Sequence, residues 1–317
     1  MPGFVTHYIF GLNAYKQLTD NELKTVIRVN NPSFCLGLQG PDLFFFYMPT
    51  SLGITDKVAD IMHKQKTGEF FRQLINSAYN MNGDECLVAL AYTCGFMGHY
   101  LLDTHVHPYV YFRVGTASNR QTLGKHFGLE TDIDREVLKY YRNMSMSQFH
   151  HSSVLKLSDF EKDVVSRLLH GAILSTYGIN ISCGEVKAAI KSMCVESDIL
   201  TDNTGLKQGL ITAAEKLILG HPLISSLLIN ETSHSEDPCN LFHSEWVNPW
   251  DETMRATTSV FDMIDGLTEV YASYMPIMKE AFIASANNYI SDNHRILKLL
   301  GNNSYSSGLD CSIPLTR

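Results

Sequence analysis

His99, Asp103 and His107 lie four residues apart in the segment GHYLLDTHVHPY. On a helix, residues i and i+4 stand about 5–6 Å apart on one face. Side chains so placed can reach one metal ion, or two neighbouring ions, through bonds of roughly 2 Å. His105 is half a turn from Asp103 and is expected to point elsewhere. The competing reading is a polar stripe on a solvated helix. The surrounding residues argue against it: Leu87, Val88, Ala89, Leu90, Ala91, Phe96, Leu101 and Leu102 make this helix apolar nearly all round. Ionisable groups buried in such a helix need partners, and a divalent metal is one.

His126 and Glu130 repeat the i, i+4 spacing in KHFGLETDID. Alone, such a pair is common on exposed helices. So close behind the first cluster, it reads as a second arm of a metal centre. The nearby Asp132, Asp134 and Arg135 read as an ordinary charged face. His7, on a first helix between Phe4 and Phe10, is by itself more often a core histidine than a ligand, and His63 in ADIMHKQKTGEFF shares that weakness. Asp42 in QGPDLFFFY suits a turn aspartate. Phe44, Phe45, Phe46 and Tyr47 follow it, with Phe45 and Tyr47 as candidate walls of a substrate pocket; core packing explains the run about as well.

Taken in order, His7, Asp42, His63, His99, Asp103, His107, His126 and Glu130 form a pattern. It resembles the bacterial zinc-dependent phospholipase C family, related in fold to the trinuclear zinc 3′-nucleases. THYIFG, QGPDLFFF, the His63 helix, GHYLLDTHVHPY and HFGLETDID carry the resemblance over roughly the first 150 residues. The block around Asn240, Leu241, Phe242 and His243, with Trp246 to Pro249, is similar to the family's later half. Asn240 and His243 are thereby candidates to close one side of the cleft, whereas packing is the stronger expectation for Trp246. The resemblance implies two to three Zn²⁺ ions. One would be held by Asp42, His63, His99 and Asp103, and a second by His107, His126 and Glu130. A third would take His7, Asp103 as a bridge, and the chain's N-terminal amine and carbonyl, with Pro2 as the terminus once Met1 is trimmed. Secreted members carry the histidine that follows the helical Asp two residues further on, where this chain has Tyr109.

The activity so implied is hydrolysis of a phosphodiester by zinc-activated water, most simply cleavage of a phospholipid at a membrane surface. Asp42 and Asp103 are the candidate catalytic residues: Asp103 as shared bridge, Asp42 as a ligand that also orients the nucleophile. Two other classes stay open. One is a single-strand nuclease or nucleotidase on the same scaffold; the other is a non-catalytic, metal-binding regulatory protein. No GxSxG, P-loop, HExxH or strand-borne GxGxxG offers a different chemistry.

The elements expected to position these residues are helices. Periodicity over the 317 residues gives no convincing strand alternation. The expectation is one all-α multi-helix domain over residues 1–292 and a loosely ordered tail over 293–317. A first helix is expected at about Phe4 to Leu18, and a second capped by Thr19 or Asp20. Further helices are expected at about 57–80, about 84–107, through HFGLETDIDREVLKYYR, at about 158–174, 184–197 and 205–219, and at about 257–291. Pro108 should end or kink the fourth. The paired His150 and His151 are expected to be exposed.

The hydrophobic fraction of 44% and the charged fraction of 18% belong to a core-forming chain. A net charge of -8 disfavours a stable nucleic-acid partner. The seven cysteines are scattered without a CxxC, so neither a disulfide framework nor a cysteine zinc site is expected. The start MPGFVTHYIFGLNAYKQL lacks the features of a signal peptide, and no membrane span is expected. These points give the expectation of a reduced, cytoplasmic protein.

Overall fold

The computed structural model describes residues 3–46, 55–117, 119–199, 235–287 and 294–313. Helix α1 spans Phe4–Gln17, α2 Asn21–Val29 and α3 Asn31–Gly37, and a 3₁₀ turn over Gly40–Phe46 follows. Helices α4 (Thr55–Lys64) and α5 (Thr67–Asn76) lead to α6, Gly83–Val114, and then to α7, Arg120–Arg142. Short α8 (His151–Val154) precedes α9 (Asp159–Tyr177) and α10 (Cys183–Ile199). After a small antiparallel hairpin of β1 (Trp246–Asn248) and β2 (Asp251–Ala256) come α11, Val260–Ala286, and α12, Arg295–Leu300.

Local chemistry explains the starts. Asp20 caps α2 by accepting from Leu23 N at 2.9 Å. Capping boxes open α6 (Asn82 with Glu85), α9 (Ser158 with Glu161) and α11 (Ser259 with Asp262). Helix α6 is the central post, with α1, α3, α7, α9 and α11 packed around it. Among the described helices it alone is long and apolar enough to cross a membrane, yet 83% of its apolar window is buried within the fold. Its Leu90, Phe96, Leu102 and Val110 are core residues, each worth roughly 1.5–3 kcal/mol when buried. Close approach of α3 to α6 depends on Gly37 and Gly95, where an added Cβ would stand 2.1 Å from Tyr92 O and from Phe34 O.

Several expectations change. The helix foreseen at about 57–80 is two, broken at Lys66, whose φ is 51°. Pro108 does not end α6, which continues to Val114. A short hairpin lies in the stretch read as loop; its strands are too brief and too charged to announce themselves. Asp132, Asp134 and Arg135 are no solvated face: all three are buried. Asp134 accepts from Val5 N and Thr6 N, while Asp132 pairs with Arg135 and accepts from Ser235 N. His151 is buried among Phe4 and Phe149. The segment from residue 294, expected to be loose, forms α12 and then packs into the molecule, with Ile296, Leu300 and Tyr305 all buried. The helix expected at 205–219, along with Pro2 and Tyr47, lies outside the described residues.

Candidate metal centre

Five elements deliver the eight candidate ligands. Helix α1 carries His7, the 3₁₀ turn Asp42 and α4 His63. Helix α6 carries His99, Asp103 and His107, and α7 carries His126 and Glu130. None is more than 7% exposed, far below what a solvated polar stripe would show. His105 is exposed, its ring against the Leu101 carbonyl at 2.8 Å.

The eight gather into three groups: His7 with His99 and Asp103; Asp42 with His63 and His99; and His107 with His126 and Glu130. Within each group the ligand atoms lie within 4.8 Å of one another. Asp103 stands between two imidazoles, Oδ1 3.2 Å from His7 Nε2 and Oδ2 3.0 Å from His99 Nε2. Asp42 Oδ1 is 3.1 Å from His63 Nε2, and its Oδ2 is 3.9 Å from His99 Nε2. In the third group Glu130 Oε1 is 2.7 Å from His126 Nε2 and 3.7 Å from His107 Nε2. His99 is thus shared by the first two groups and stacks on His7 with ring centroids 4.1 Å apart. Asp103 meets the Asp42–His63 pair through His99 rather than directly.

Backbone carbonyls orient the rings. Nδ1 of His63 lies 2.7 Å from Ala59 O, that of His99 3.2 Å from Leu38 O, and that of His107 2.8 Å from Tyr305 O. A carbonyl can only accept, so Nδ1 carries the proton in each and Nε2 presents its lone pair to the interior. Those Nε2 atoms, Nε2 of His7, Oδ1 of Asp42 and both oxygens of Asp103 are buried without a satisfactory hydrogen bond. So many convergent orphan acceptors are costly in an empty interior.

At His7, His107, His126 and Asp103 electrostatics favours the deprotonated form that a metal needs. Burial, reinforced by His99, lowers His7 to about 4. Burial likewise holds His107 and His126 well below the ordinary imidazole value. For His99 burial is outweighed by Asp103 and Asp42, and the net shift is upward. Burial opposes ionisation of Asp103, but His107, His99 and His7 hold its carboxyl well below the usual range.

The pocket candidates fare differently. Phe45 is half-exposed, with its ring 5.6 Å from that of His63. The Asn240 amide donates to the carbonyls of Ser244, Thr257 and Thr258, which makes it a turn-former. His243 is exposed against Thr257 O and Asp262. Neither joins a ligand group. Trp246 is a packing residue, donating to Thr258 O and lying against Tyr109. Sequence reasoning missed Tyr111 and Trp250, whose rings stand 4.9 Å apart, Tyr111 also 4.9 Å from His126. Tyr111 follows His107 by four residues, a spacing that could have flagged it. Beside it opens a groove of about 380 Å³, lined by Phe112, Val247, Asn248 and Arg255 among others.

No curated protein and no solved structure matched the chain. A family model described as zinc-dependent phospholipase C matches residues 6–179. That span is more than half of the 317 residues and includes every member of the three ligand groups, so the chain belongs to the zinc-dependent phospholipase C family.

Proposed function

We propose that this protein is a zinc-dependent phosphodiesterase, acting on a phospholipid or a related phosphodiester by phospholipase C-type cleavage. The observation that carries the reading is the convergence of buried imidazoles and carboxylates from five elements on one interior, those of α1, the 3₁₀ turn, α4 and α6 with ligand atoms left without a hydrogen bond. Imidazole and carboxylate in this number suit Zn²⁺ and leave room for further ligands. On this reading Asp42, His63 and His99 would hold one ion, His7 and Asp103 a second, and His107, His126 and Glu130 a third, with Asp103, beside both His7 and His99, as the carboxylate the first two ions share. When bound, zinc supplies Lewis acidity that generates a nucleophile from water near neutral pH and offsets charge on the phosphate.

The chain's own part is positioning. Asp103 bears one negative charge between His7 and His99 and keeps both rings in register. Asp42, in a turn rather than a helix, is the carboxylate best placed to orient an incoming water beside His63. Apolar side chains of α6 and α1 close the interior to bulk water, which strengthens every charge interaction there. The groove beside Tyr111 and His126 is the space for the substrate's remaining part.

A nuclease or nucleotidase on the same donors is the rival. The Tyr111–Trp250 pair favours it, as a platform for a base; the net charge of -8 opposes it. The test is a panel offered to zinc-loaded protein: phosphatidylcholine vesicles, a short-chain soluble phosphatidylcholine, single-stranded DNA and RNA, and 3′-nucleotides. Release of phosphocholine or another phosphorylated head group supports the proposal. Turnover of nucleic acid alone overturns the lipid assignment, and a zinc-loaded protein inert to the whole panel returns it to the regulatory class.

A further inference from the structure

We propose that residues 301–313 form a strap that positions His63 and His107 at once, coupling two ligand groups that share no residue. The proposal rests on the metal reading above. It concerns a part of the chain beyond the family match, which ends at residue 179.

Between them, Ser304 and Tyr305 touch both histidines. Tyr305 N donates to the His63 carbonyl at 2.9 Å and Ser304 Oγ donates to the same oxygen at 3.2 Å. Tyr305 O accepts from His107 Nδ1 at 2.8 Å. One residue thus ties the last turn of α4 to the imidazole of α6, across members of two separate groups. The Tyr305 ring is buried against the first of these groups, 5.1 Å from His63 and 5.7 Å from His99 by centroid.

The strap is itself over-determined. Tyr100, next to His99 in sequence, donates its hydroxyl to Leu300 O at 2.8 Å and accepts from Asn303 N at 2.9 Å. Thr67 Oγ1 donates to Asn303 O, and Asn248 of the hairpin donates to Ser307 O. Ser304 N donates to Leu309 O and Gly308 N to Ser304 O, folding the segment back on itself. At its far end Gly308 meets α6. Pro108 has no N–H to give the Thr104 carbonyl four residues before it, and Gly308 packs against that carbonyl. A Cβ on residue 308, where φ is 69°, would stand 2.4 Å from Thr104 O. Only glycine lets the strap lie this close.

A histidine ligand whose second nitrogen loses its partner, as His107 would, usually costs about 10- to 100-fold in metal affinity; His63 would lose instead the two bonds that fix its backbone carbonyl. If the strap positions both residues, displacing it must weaken both groups together. Gly308→Ala is the displacing variant. Gly178→Ala is its control, with the same kind of φ, 70°, but no atom within 4 Å of the new Cβ. Ser304→Ala is the milder companion, removing one bond to His63 O and the turn contacts to Ser306 N and Ser307 N.

Each full-length protein is stripped and titrated with zinc against a chromophoric chelator. The cobalt-substituted forms are compared by visible spectrum, which reports ligand geometry. Unaltered protein and Gly178→Ala should bind alike. Gly308→Ala should lose at least 10-fold at two sites and shift the cobalt spectrum, with Ser304→Ala moving the same way by less. Unchanged affinity and spectrum in both strap variants overturns the proposal, as does loss confined to one site. Should Gly308→Ala fail to fold, as judged by circular dichroism, Ser304→Ala decides alone. Unaltered protein that binds no zinc overturns the metal reading and this proposal with it, an outcome distinct from zinc bound equally by all variants.

Discussion

Residue 40 faces the ring of His99 so closely that a Cβ there would stand 2.2 Å from its Cδ2. Its φ of 53° already favours glycine, and the imidazole removes any alternative. Gly40→Ala should therefore push His99 out of line and cost about 1–3 kcal/mol. His99 lies where two of the three groups meet, against the Asp103 carboxylate that also faces His7. The expected zinc content falls to the one ion of His107, His126 and Glu130, read by elemental analysis. A variant keeping full zinc would show that neither His99 nor the Asp103 beside it depends on Gly40 for its place.

Asp103→Asn should be among the most damaging substitutions. It removes a buried negative charge between His7 and His99 and leaves an amide N–H₂ facing a ring nitrogen. His105→Ala should be mild, because that residue is exposed and its hydrogen-bond partners among the described residues are Leu101 O and Thr104 Oγ1. Zinc binding and turnover of the two variants are compared side by side. Loss with His105→Ala and retention with Asp103→Asn would reverse the assignment.

What was legible from sequence follows from where the information sits. Helix α6 could be read because ionisable residues at i, i+4 spacing stand in a run apolar on every side, a conflict that only buried partners resolve. The charged run after Glu130 looks like any solvated face, and nothing local says that Asp134 meets Val5 and Thr6, some 130 residues away. The break at Lys66 was hidden for a similar reason. Lysine is a good helix former, and the turn is fixed from outside, by Thr67 bonding Asn303 O and Gly68 N bonding Asn302. The tail GNNSYSSGLD has no hydrophobic period and reads as loose. Its order comes from main-chain bonds to His63, Tyr100 and His107, which composition does not encode.

Metal removal should lower stability measurably. A ligand that binds only the folded chain stabilises it by about 2.7 kcal/mol per site when free metal is one hundred times Kd. Thermal melts before and after chelation, with zinc added back, test this. The melting temperature should drop by several degrees on chelation and recover with zinc. An identical melt in all three states would argue that the ligand groups hold no metal.

The metal-free protein should lose stability as pH falls from about 6.5 toward 4. Folded His7 titrates at about 4, and His107 and His126 are also held low by burial. The unfolded chain therefore takes up protons first, and stability present above the unfolded value is lost on acidification. Each such histidine contributes up to about 1.4 kcal/mol per pH unit across its window. Asp134, pushed up to about 6 by burial, takes up its proton first in the folded state and offsets part of this between about 6 and 4; His99, shifted upward, acts above this window. Urea midpoints of chelator-treated protein at pH 7, 6, 5 and 4.5 give the slope, and a midpoint that stays flat or rises toward acid would contradict the burial of neutral imidazoles.

Asp134 supplies the cap that α1 lacks. The helix starts after Gly3, which provides no side-chain cap. In its place Asp134, one turn beyond Glu130 on α7, accepts from Thr6 N at 2.8 Å, Thr6 Oγ1 at 2.6 Å and Val5 N at 3.0 Å. Burial pushes its carboxyl up to about 6 against these three donated bonds. The clamp fixes the first turn of α1, and with it His7, relative to the α7 ligands. Asp134→Asn keeps the shape but turns an amide N–H₂ toward one backbone N–H. The expected cost is about 1–3 kcal/mol for the unsatisfied buried donors. The expected functional effect is selective: weaker zinc binding at the group of His7, with that of His107, His126 and Glu130 untouched. Urea denaturation and stepwise zinc titration read the two effects separately. Equal loss at all groups would mean that Asp134 supports the fold at large, and no loss of stability would mean that α1 caps itself with water.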